Sequence, residues 1–366
     1  VKLGRALTLL IALVLVAGAA AAGHVNVVTI SGSINPASSD YIQQAIERSE
    51  AEGAIAVLIE LDTPGGLLAS TKDVIQAMLN AKVPVVVFVS PQGAWAASAG
   101  TFITLAGHVA AMAPGTSIGA ASPVSATGGG GEQDEQSRRK DAAEEKAEKF
   151  TTAFIESIAK QRKRNVEWAM RAVREAEAIT QDKALELGVI DLVANDRADL
   201  LRKLEGREVA LGEETRTLEL EGAEIRPIAM TAMTRFFDFL ASPDVAVLLV
   251  MAGLLGLYIE FQQPGLIVPG VLGLGCLIMA AFAFQILPFS WLGLLLMLLG
   301  MGLVAAEVFV PAFGVLFAAG IVCFLLGGSM LFDMPEISDL DVSFWPVLVP
   351  SVAGFALFAG VVVYAV

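Results

Sequence analysis

Residues 54–66 read Ala-Ile-Ala-Val-Leu-Ile-Glu-Leu-Asp-Thr-Pro-Gly-Gly. Ala54 to Leu61 is a nearly unbroken apolar run of strand length, and Thr63-Pro64-Gly65-Gly66 closes it with a turn. A strand without polar alternation is buried on both faces, as in a parallel sheet covered by helices. Outward from this stretch the pattern repeats. Leu67 to Ala81 reads as a helix and Val83 to Val89 as a second apolar strand. Upstream, Val25 to Ile30 reads as a strand and Ser38 to Glu50 as a helix, with Ser38 or Ser39 as N-cap and Asp40 in its first turn. Downstream, a short helix follows Ser98 and a strand lies near His108 to Met112. The βαβ rhythm predicts an α/β domain built on a mostly parallel sheet.

Residues Ala126 to Arg139 are rich in Gly, Gln, Ser and charge and read as a mobile loop. A long charged helix is expected from about Asp141 to Lys163, with Asn165 capping the next. Another begins at Ile179-Thr180 and ends at Gly188, followed by a last strand, Val189 to Val193. Asp196 to Leu204 reads as a helix, and Arg207 to Ile228 as a β-like extension or linker.

The chain has 366 residues, 55% of them hydrophobic, and a mean hydropathy of +0.67, which points to a membrane protein. Its net charge of -14 argues against nucleic acid or anionic lipid as primary partner. Cys276 and Cys323 both lie in apolar runs and form neither a disulfide framework nor a metal-site spacing. Gly128 to Gly131 has no Lys-Ser/Thr after it and no strand before it, so it is not a phosphate loop. Lys2 and Arg5, the apolar Ala6 to Val16 and the small residues Ala17 to Gly23 follow the order of a secretory signal or an uncleaved anchor. Both readings export the domain that follows.

No Lys, Arg or His occurs after Arg235. Five apolar stretches follow: Val245 to Tyr258, which Phe236 to Leu240 could lengthen, then Leu266 to Phe284, Trp291 to Val308, Val315 to Phe332 and Trp345 to Val366. They predict four or five spans. With five, the acidic loop Asp333 to Asp341 falls outside and the C-terminus inside. Glu260 with Pro264, and Glu307 with Pro311, repeat a Glu-x-x-x-Pro pattern, which suggests a duplicated hairpin. These acids are either interfacial or a proton or partner site within the bundle.

Ser98 lies in Ala94-Trp-Ala-Ala-Ser-Ala-Gly100, just after an apolar strand. A serine at a strand-to-helix turn is exposed and has helical N–H groups beside it, and a Pro-Gly-Gly turn offers further N–H groups to an oxyanion. The pair suggests acyl transfer. The chain has two histidines, so the usual base is scarce. His24 lies at the expected signal cleavage point, and His108 beside a strand. A lysine can substitute if burial lowers its pKa from about 10.4 toward about 7–8. On the long helix, Phe150, Phe154, Ser157 and Ile158 share a face with Ala143 and Ala147. Lys146 lies at the edge of that face, Lys149 and Lys160 lie toward the polar side, and Lys140 is at the helix start. Helical phase leaves a solvated lysine as the alternative for Lys146.

Several motifs together resemble the long NfeD-type membrane serine proteases, whose protease domain is similar to the Clp peptidase and crotonase superfamily. They are Pro64-Gly65-Gly66, Ala96-Ala-Ser98-Ala-Gly100, Met112-Ala-Pro-Gly-Thr116-Ser-Ile118-Gly119-Ala-Ala121, Lys183-Ala184 with Gly188-Val-Ile-Asp191, and Gly253-Leu-Leu-Gly-Leu-Tyr-Ile-Glu260-Phe-Gln-Gln-Pro264-Gly265. The resemblance implies a Clp/crotonase-like α/β protease domain followed by an all-α transmembrane bundle. It implies Ser98 as nucleophile, Lys146 as base, an oxyanion hole from the Gly66 and Ala99 N–H groups, and substrate contacts from Gly65, Thr116, Ile118 and Gly119. Ala121 stands where Clp peptidases place a histidine. No cofactor or metal is implied. Substrates would be apolar segments of stomatin-like membrane proteins, and the protein would form homodimers or larger assemblies. The implied division is a signal or anchor (1–23), a protease domain (24–207) on the extracytoplasmic side, a linker (208–240) and a membrane bundle (241–366). Long members often end in a small OB-type barrel, whereas this sequence stops in an apolar segment at Val366. A non-enzymatic scaffold for stomatin-like proteins is the rival reading. A signal-peptide peptidase is a further one, disfavoured by the multi-span C-terminal part.

Overall fold

The computed structural model describes residues 23–122, 135–212, 214–262, 267–287, 289–307, 310, 314–332, 344–350 and 353–354. The expected signal lies outside them, as do most of the 126–139 loop, the acidic 333–341 loop and most of the last apolar stretch.

A six-stranded parallel sheet forms the centre. Its strands are β1 (His24–Ser31), β2 (Ala56–Asp62), β3 (Val85–Val89), β5 (Val109–Met112), β8 (Leu192–Val193) and β11 (Glu224–Pro227), in the order β11-β1-β2-β3-β5-β8. The apolar runs are continuous because both faces are covered. Val28, Ile59, Val87 and Ala110 face a core shared with helices α1 (Pro36–Glu52), α2 (Leu68–Asn80), α3 (Ala99–Ala106), α4 (Glu135–Gln161) and α5 (Val166–Arg174). Val27, Leu58, Val86 and Ala111 point the other way, onto Leu200 and Leu204 of α7 (Arg197–Leu204). Helix α6 (Gln181–Glu186) precedes β8.

Three sequence readings need correction. First, α1 is capped by Asn35, not Ser38 or Ser39. The Asn35 side chain accepts from the Ser38 N–H, and the Ser38 hydroxyl accepts from the Asn35 N–H, both at 2.9 Å. Pro36 is suited to the first helical position because it has no N–H to leave unpaired. Second, a small sheet joins β4 (Trp95–Ala97), β6 (Ser117–Gly119) and β7 (Ala178–Thr180), each only three residues long and too short to show periodicity. Third, the β-like extension or linker expected over Arg207 to Ile228 is β-structure in its described residues and is followed by a helix, so it is not a bare linker. Strands β9 (Glu208–Leu211) and β10 (Glu214–Thr217) pair antiparallel, β11 extends the main sheet beside β1, and α8 (Ala232–Leu240) packs on α1.

Among the described residues four apolar helices follow: α9 (Pro243–Gln262), α10 (Ile267–Ile286), α11 (Trp291–Glu307) and α12 (Val315–Phe332). α9, α10 and α12 are long and apolar enough to cross a membrane, whereas α11 has 17 residues. Phe236 to Leu240 belongs to the separate α8 and does not lengthen α9. The helices form two hairpins with corresponding close approaches. A Cβ on Gly273 would stand 2.6 Å from the Gly253 carbonyl oxygen, and one on Gly320 2.7 Å from that of Gly300. Glu260 and Glu307 hold matching positions at the turns. The Glu307 carboxylate accepts from the N–H groups of Gly314, Leu316 and Phe317 at 2.7–3.2 Å, so it caps the start of α12. Glu260 lies directly against Gly270 in the first turn of α10.

Candidate active site

Ser98 occupies the junction between β4 and α3 with φ 48° and ψ -111°, a conformation costly for a residue with a side chain. Its surroundings hold it there. The Ser98 N–H donates to the Gly119 carbonyl at 3.0 Å. Buried Thr101 donates its hydroxyl to the Ala96 and Gly119 carbonyls, both at 2.9 Å, and accepts from the Gly119 N–H at 3.1 Å. Thr101 thus ties β4, β6 and the first turn of α3 together.

The Thr63–Gly66 turn lies alongside. Thr63 bridges to β4 by accepting from the Ala97 N–H at 3.1 Å and donating to the Trp95 carbonyl at 2.8 Å. Its hydroxyl accepts from the Gly65 N–H at 3.1 Å and donates to the Gly65 carbonyl at 3.0 Å. Gly65 and Gly66 have φ of 141° and 155°, and each faces something close. A Cβ on Gly65 would stand 2.8 Å from Ser98 Cβ, and one on Gly66 would overlap the Ile34 backbone. Ile34 runs parallel to this turn, donating to the Gly65 carbonyl at 2.7 Å and accepting from the Leu67 N–H at 2.8 Å. Among the described residues, neither the Gly66 N–H nor the Ala99 N–H has a hydrogen-bond partner. Ala99 is the first residue of α3, where N–H groups are left over by the helix geometry. Free donors therefore sit on Ala99, which follows the serine, and on Gly66, which follows the Gly65 that faces it.

Arg164 was not singled out by the sequence reading, although it serves this site. Its buried guanidinium donates to the carbonyls of Leu105 and Gly107 at the end of α3, both at 3.1 Å, and of Val189 at 3.2 Å. It also pairs with Asp191 at 3.0 Å. Arg162 donates to the Ala106 carbonyl at 2.8 Å. Cations at a helix C-terminus satisfy leftover carbonyls and suit the dipole. The helix that begins at Ser98 is thereby fastened at its far end to the end of α4.

The proposed substrate contacts divide. Gly65 faces Ser98. Thr116 is buried, and its hydroxyl donates to the Ala113 carbonyl at 2.6 Å. Ile118 is a core residue on β6, which is paired with β4 on one side and β7 on the other. Gly119 spends its N–H and carbonyl on Thr101 and Ser98. These three form the floor beneath Ser98 and not a free strand edge. Ala121 is likewise buried in the core.

His108 is not placed as a base. His108 is mostly buried, its Nδ1 accepts from the Val85 N–H at 3.2 Å, and burial followed by the Arg162 and Arg164 charges pushes its pKa down to about 3. Lys146 is exposed, and no hydrogen bond or ion pair among the described residues joins it to Ser98. The inward face of α4 is formed by Thr151, Thr152, Ile155, Ile158 and Ala159, with Phe154 stacked on Phe102 at 5.9 Å. Phe150 is 64% exposed, so the apolar face expected around it is displaced, and Lys146 projects from the opposite side of the helix. Lys149 is also exposed, and its hydrogen bond to Glu145 raises its pKa.

Comparison with known proteins adds the following. Residues 24–215 match the model of the NfeD1b N-terminal domain, and residues 244–365 that of the NfeD integral membrane domain. The membrane-bound protease PH1510 of Pyrococcus horikoshii is 34% identical over 314 residues, covering 85% of this chain and 70% of the relative. Membrane protein NfeD1b of Bacillus subtilis is 26% identical over 337 residues, covering 87% and 70%. Among solved structures, the 1510-N membrane-bound stomatin-specific protease is similar as a lysine-to-alanine mutant in complex with a substrate peptide. There the TM-score is 0.53 and the identity 32%, over 60% of this chain and 98% of that one. A serine-to-alanine mutant gives 0.52 and 34%, over 58% and 100%.

Proposed function

The chain belongs to the NfeD family of membrane proteins, and on that premise we propose that it is a membrane-anchored serine endopeptidase. The observation that carries the reading is Ser98, held in a strained turn against Gly65, with the N–H groups of the adjoining Gly66 and Ala99 free. Ser98 Oγ attacks the scissile carbonyl, and the two N–H groups receive the oxyanion. Lys146 takes the serine proton and returns it to the leaving amine. Its exposed position requires the first turns of α4 to fold over the site when substrate binds. The lysine-to-alanine relative bound to a substrate peptide supports a lysine in this role.

The substrate we propose is an apolar segment of a stomatin-like membrane protein, by likeness to the stomatin-specific relative. The protease domain, which we extend from residue 24 through β11, works on the extracytoplasmic side as a homodimer or larger assembly. Cleavage of apolar peptides, followed together with thermal unfolding for wild type and Ser98→Ala, tests the reading. Cleavage is expected to vanish while folding persists, and a folded Ser98→Ala protein that still cleaves would overturn it.

One observation favours a second reading, a scaffold for stomatin-like proteins without turnover: Lys146 stands apart from Ser98. Wild-type protein that binds such a partner and never cleaves it would favour the scaffold.

A further inference from the structure

Helix α8 carries an apolar surface that the protease reading does not use. Met233, Phe236, Phe237 and Phe239 are 65%, 44%, 42% and 57% exposed, although all are large and apolar. At helical pitch Phe236, Met233 and Phe237 lie on one side with Phe239 adjoining, whereas Thr234, Arg235 and Asp238 lie on the other. Four such side chains on nine residues exceed the scattered apolar exposure of a water-facing surface.

What covers them follows from where the helix ends. Only Ala241 and Ser242 separate Leu240 from the membrane helix α9 at Pro243, and two residues reach at most about 7 Å. The junction is hydrogen-bonded throughout. Ala241 donates to the Phe237 carbonyl at 3.0 Å, Ser242 to that of Phe239 at 3.3 Å, and Ala246 to that of Ser242 at 3.1 Å. A helix fixed this closely to a span stays at the bilayer surface. Aromatic side chains favour that zone, and Arg235, the last cation of the chain, suits lipid phosphate.

α8 is also fastened to the protease domain, where Met233, Thr234 and Phe237 line an open cleft with Asn35, Pro36, Ala37 and Asp40. Asp238 accepts from the Asn35 side-chain amide at 2.9 Å. Just before α8, the Ile228 carbonyl accepts from the Tyr41 hydroxyl at 2.5 Å, and Ile228 donates to Val27 at 2.9 Å. Asn35 caps α1 and directly follows Ile34, which pairs with the Gly65–Leu67 backbone. A short covalent and hydrogen-bonded path therefore links α8 to the turn beneath Ser98.

We propose that α8 is a membrane-surface helix whose Met233, Phe236, Phe237 and Phe239 enter the boundary between lipid headgroups and acyl chains. Through Asp238 and Asn35 it fixes the Gly65–Gly66 turn relative to the bilayer. The site is then set to cleave a segment emerging at the membrane surface, and Asp238 is a positioning residue. This second half rests on the protease reading; the seating of α8 in lipid does not.

The experiment uses the full chain in nanodiscs containing a phosphatidylcholine with a photoactivatable diazirine near its glycerol. Adducts located by mass spectrometry are expected on residues 232–240 as well as on the membrane helices. Adducts on α9 to α12 with none on 232–240 would overturn the lipid seat. In a second arm, one apolar substrate is presented embedded in the bilayer and free in solution. Asp238→Ala is expected to slow the embedded substrate about tenfold or more and the free one little, because only the embedded one depends on presentation. Asp238→Asn, whose side-chain oxygen still accepts from Asn35, should retain the wild-type ratio. Equal loss on both substrates, or loss on neither, would overturn the positioning role. Wild-type protein that cleaves neither would remove the protease reading and the positioning role with it, while the adduct map still decides where α8 lies.

Discussion

The Ser98 side chain lies against the bare face of Gly65, where an added Cβ would stand 2.8 Å from Ser98 Cβ and 3.3 Å from its Oγ. Ser98 and the Pro-Gly-Gly turn thus share a space that a single methyl group would fill. Gly65 also has φ 141°, a region that side-chain-bearing residues avoid. Gly65→Ala should therefore lower kcat/KM by about 100-fold, similar to the loss of an oxyanion donor, and destabilise the fold by about 1–3 kcal/mol. Peptide cleavage and thermal unfolding on one preparation check both parts. Near-normal kcat/KM would show that the serine does not react from this position.

Arg164 holds the far end of the Ser98 helix, and its loss should reach the site through the fold. Arg164→Ala leaves Asp191 and several buried carbonyls short of a partner, which should cost about 3 kcal/mol or more. Arg164→Lys should restore little, because one ammonium cannot span Leu105, Gly107, Val189 and Asp191 as the planar guanidinium does. Thermal midpoints of the two variants should lie close together and well below wild type.

His108 makes stability depend on pH. Burial, then Arg162 and Arg164, depress its folded pKa from the ordinary 6.5 to about 3. Between these values the unfolded chain takes up a proton that the folded chain does not. The stabilisation is complete above pH 6.5 and is lost progressively as pH falls toward 3. His108→Gln retains an acceptor for the Val85 N–H without this titration. Midpoints measured from pH 8 to 4 should fall less steeply for His108→Gln than for wild type, and parallel curves would contradict the assignment.

The parts of the molecule legible in the sequence were those with strong local patterns. The Ala54–Leu61 and Val83–Val89 runs announced a sheet buried on both faces, and the Glu-x-x-x-Pro echo announced the paired hairpins. β11 was legible only as part of a β-like stretch and not as a strand of the main sheet, because its Glu-Ile-Arg-Pro sequence is a mostly exposed edge strand. β4, β6 and β7 escaped because three residues carry no period. The inward face of α4 differs from its hydrophobic spacing for another reason. Apolar spacing turns Phe150 inward, yet among the described residues of α4 the buried face is Thr151, Thr152, Ile155, Ile158 and Ala159, and Phe150 is exposed. Hydrophobicity alone does not say which face of a long charged helix its domain covers.

The exposed position of Lys146 makes its role the sharpest test of the mechanism. A general base must be neutral and within hydrogen-bond reach of the serine hydroxyl. The helix segment bearing Lys146 would have to move to meet the second condition, so substrate binding and base delivery should be coupled. Lys146→Ala should abolish cleavage while leaving peptide binding to the folded protein intact. Lys146→Arg should also fail, because a guanidinium stays protonated at working pH. Lys149→Ala, which removes only the surface pair with Glu145, should keep most activity. Single-turnover cleavage and equilibrium peptide binding on all three variants separate chemistry from binding. Hydrogen exchange across residues 145–150 should show added protection when peptide is bound to Ser98→Ala. Loss of activity at Lys149 with survival at Lys146 would move the base along the helix. Full activity in both lysine-to-alanine variants would remove the lysine mechanism altogether.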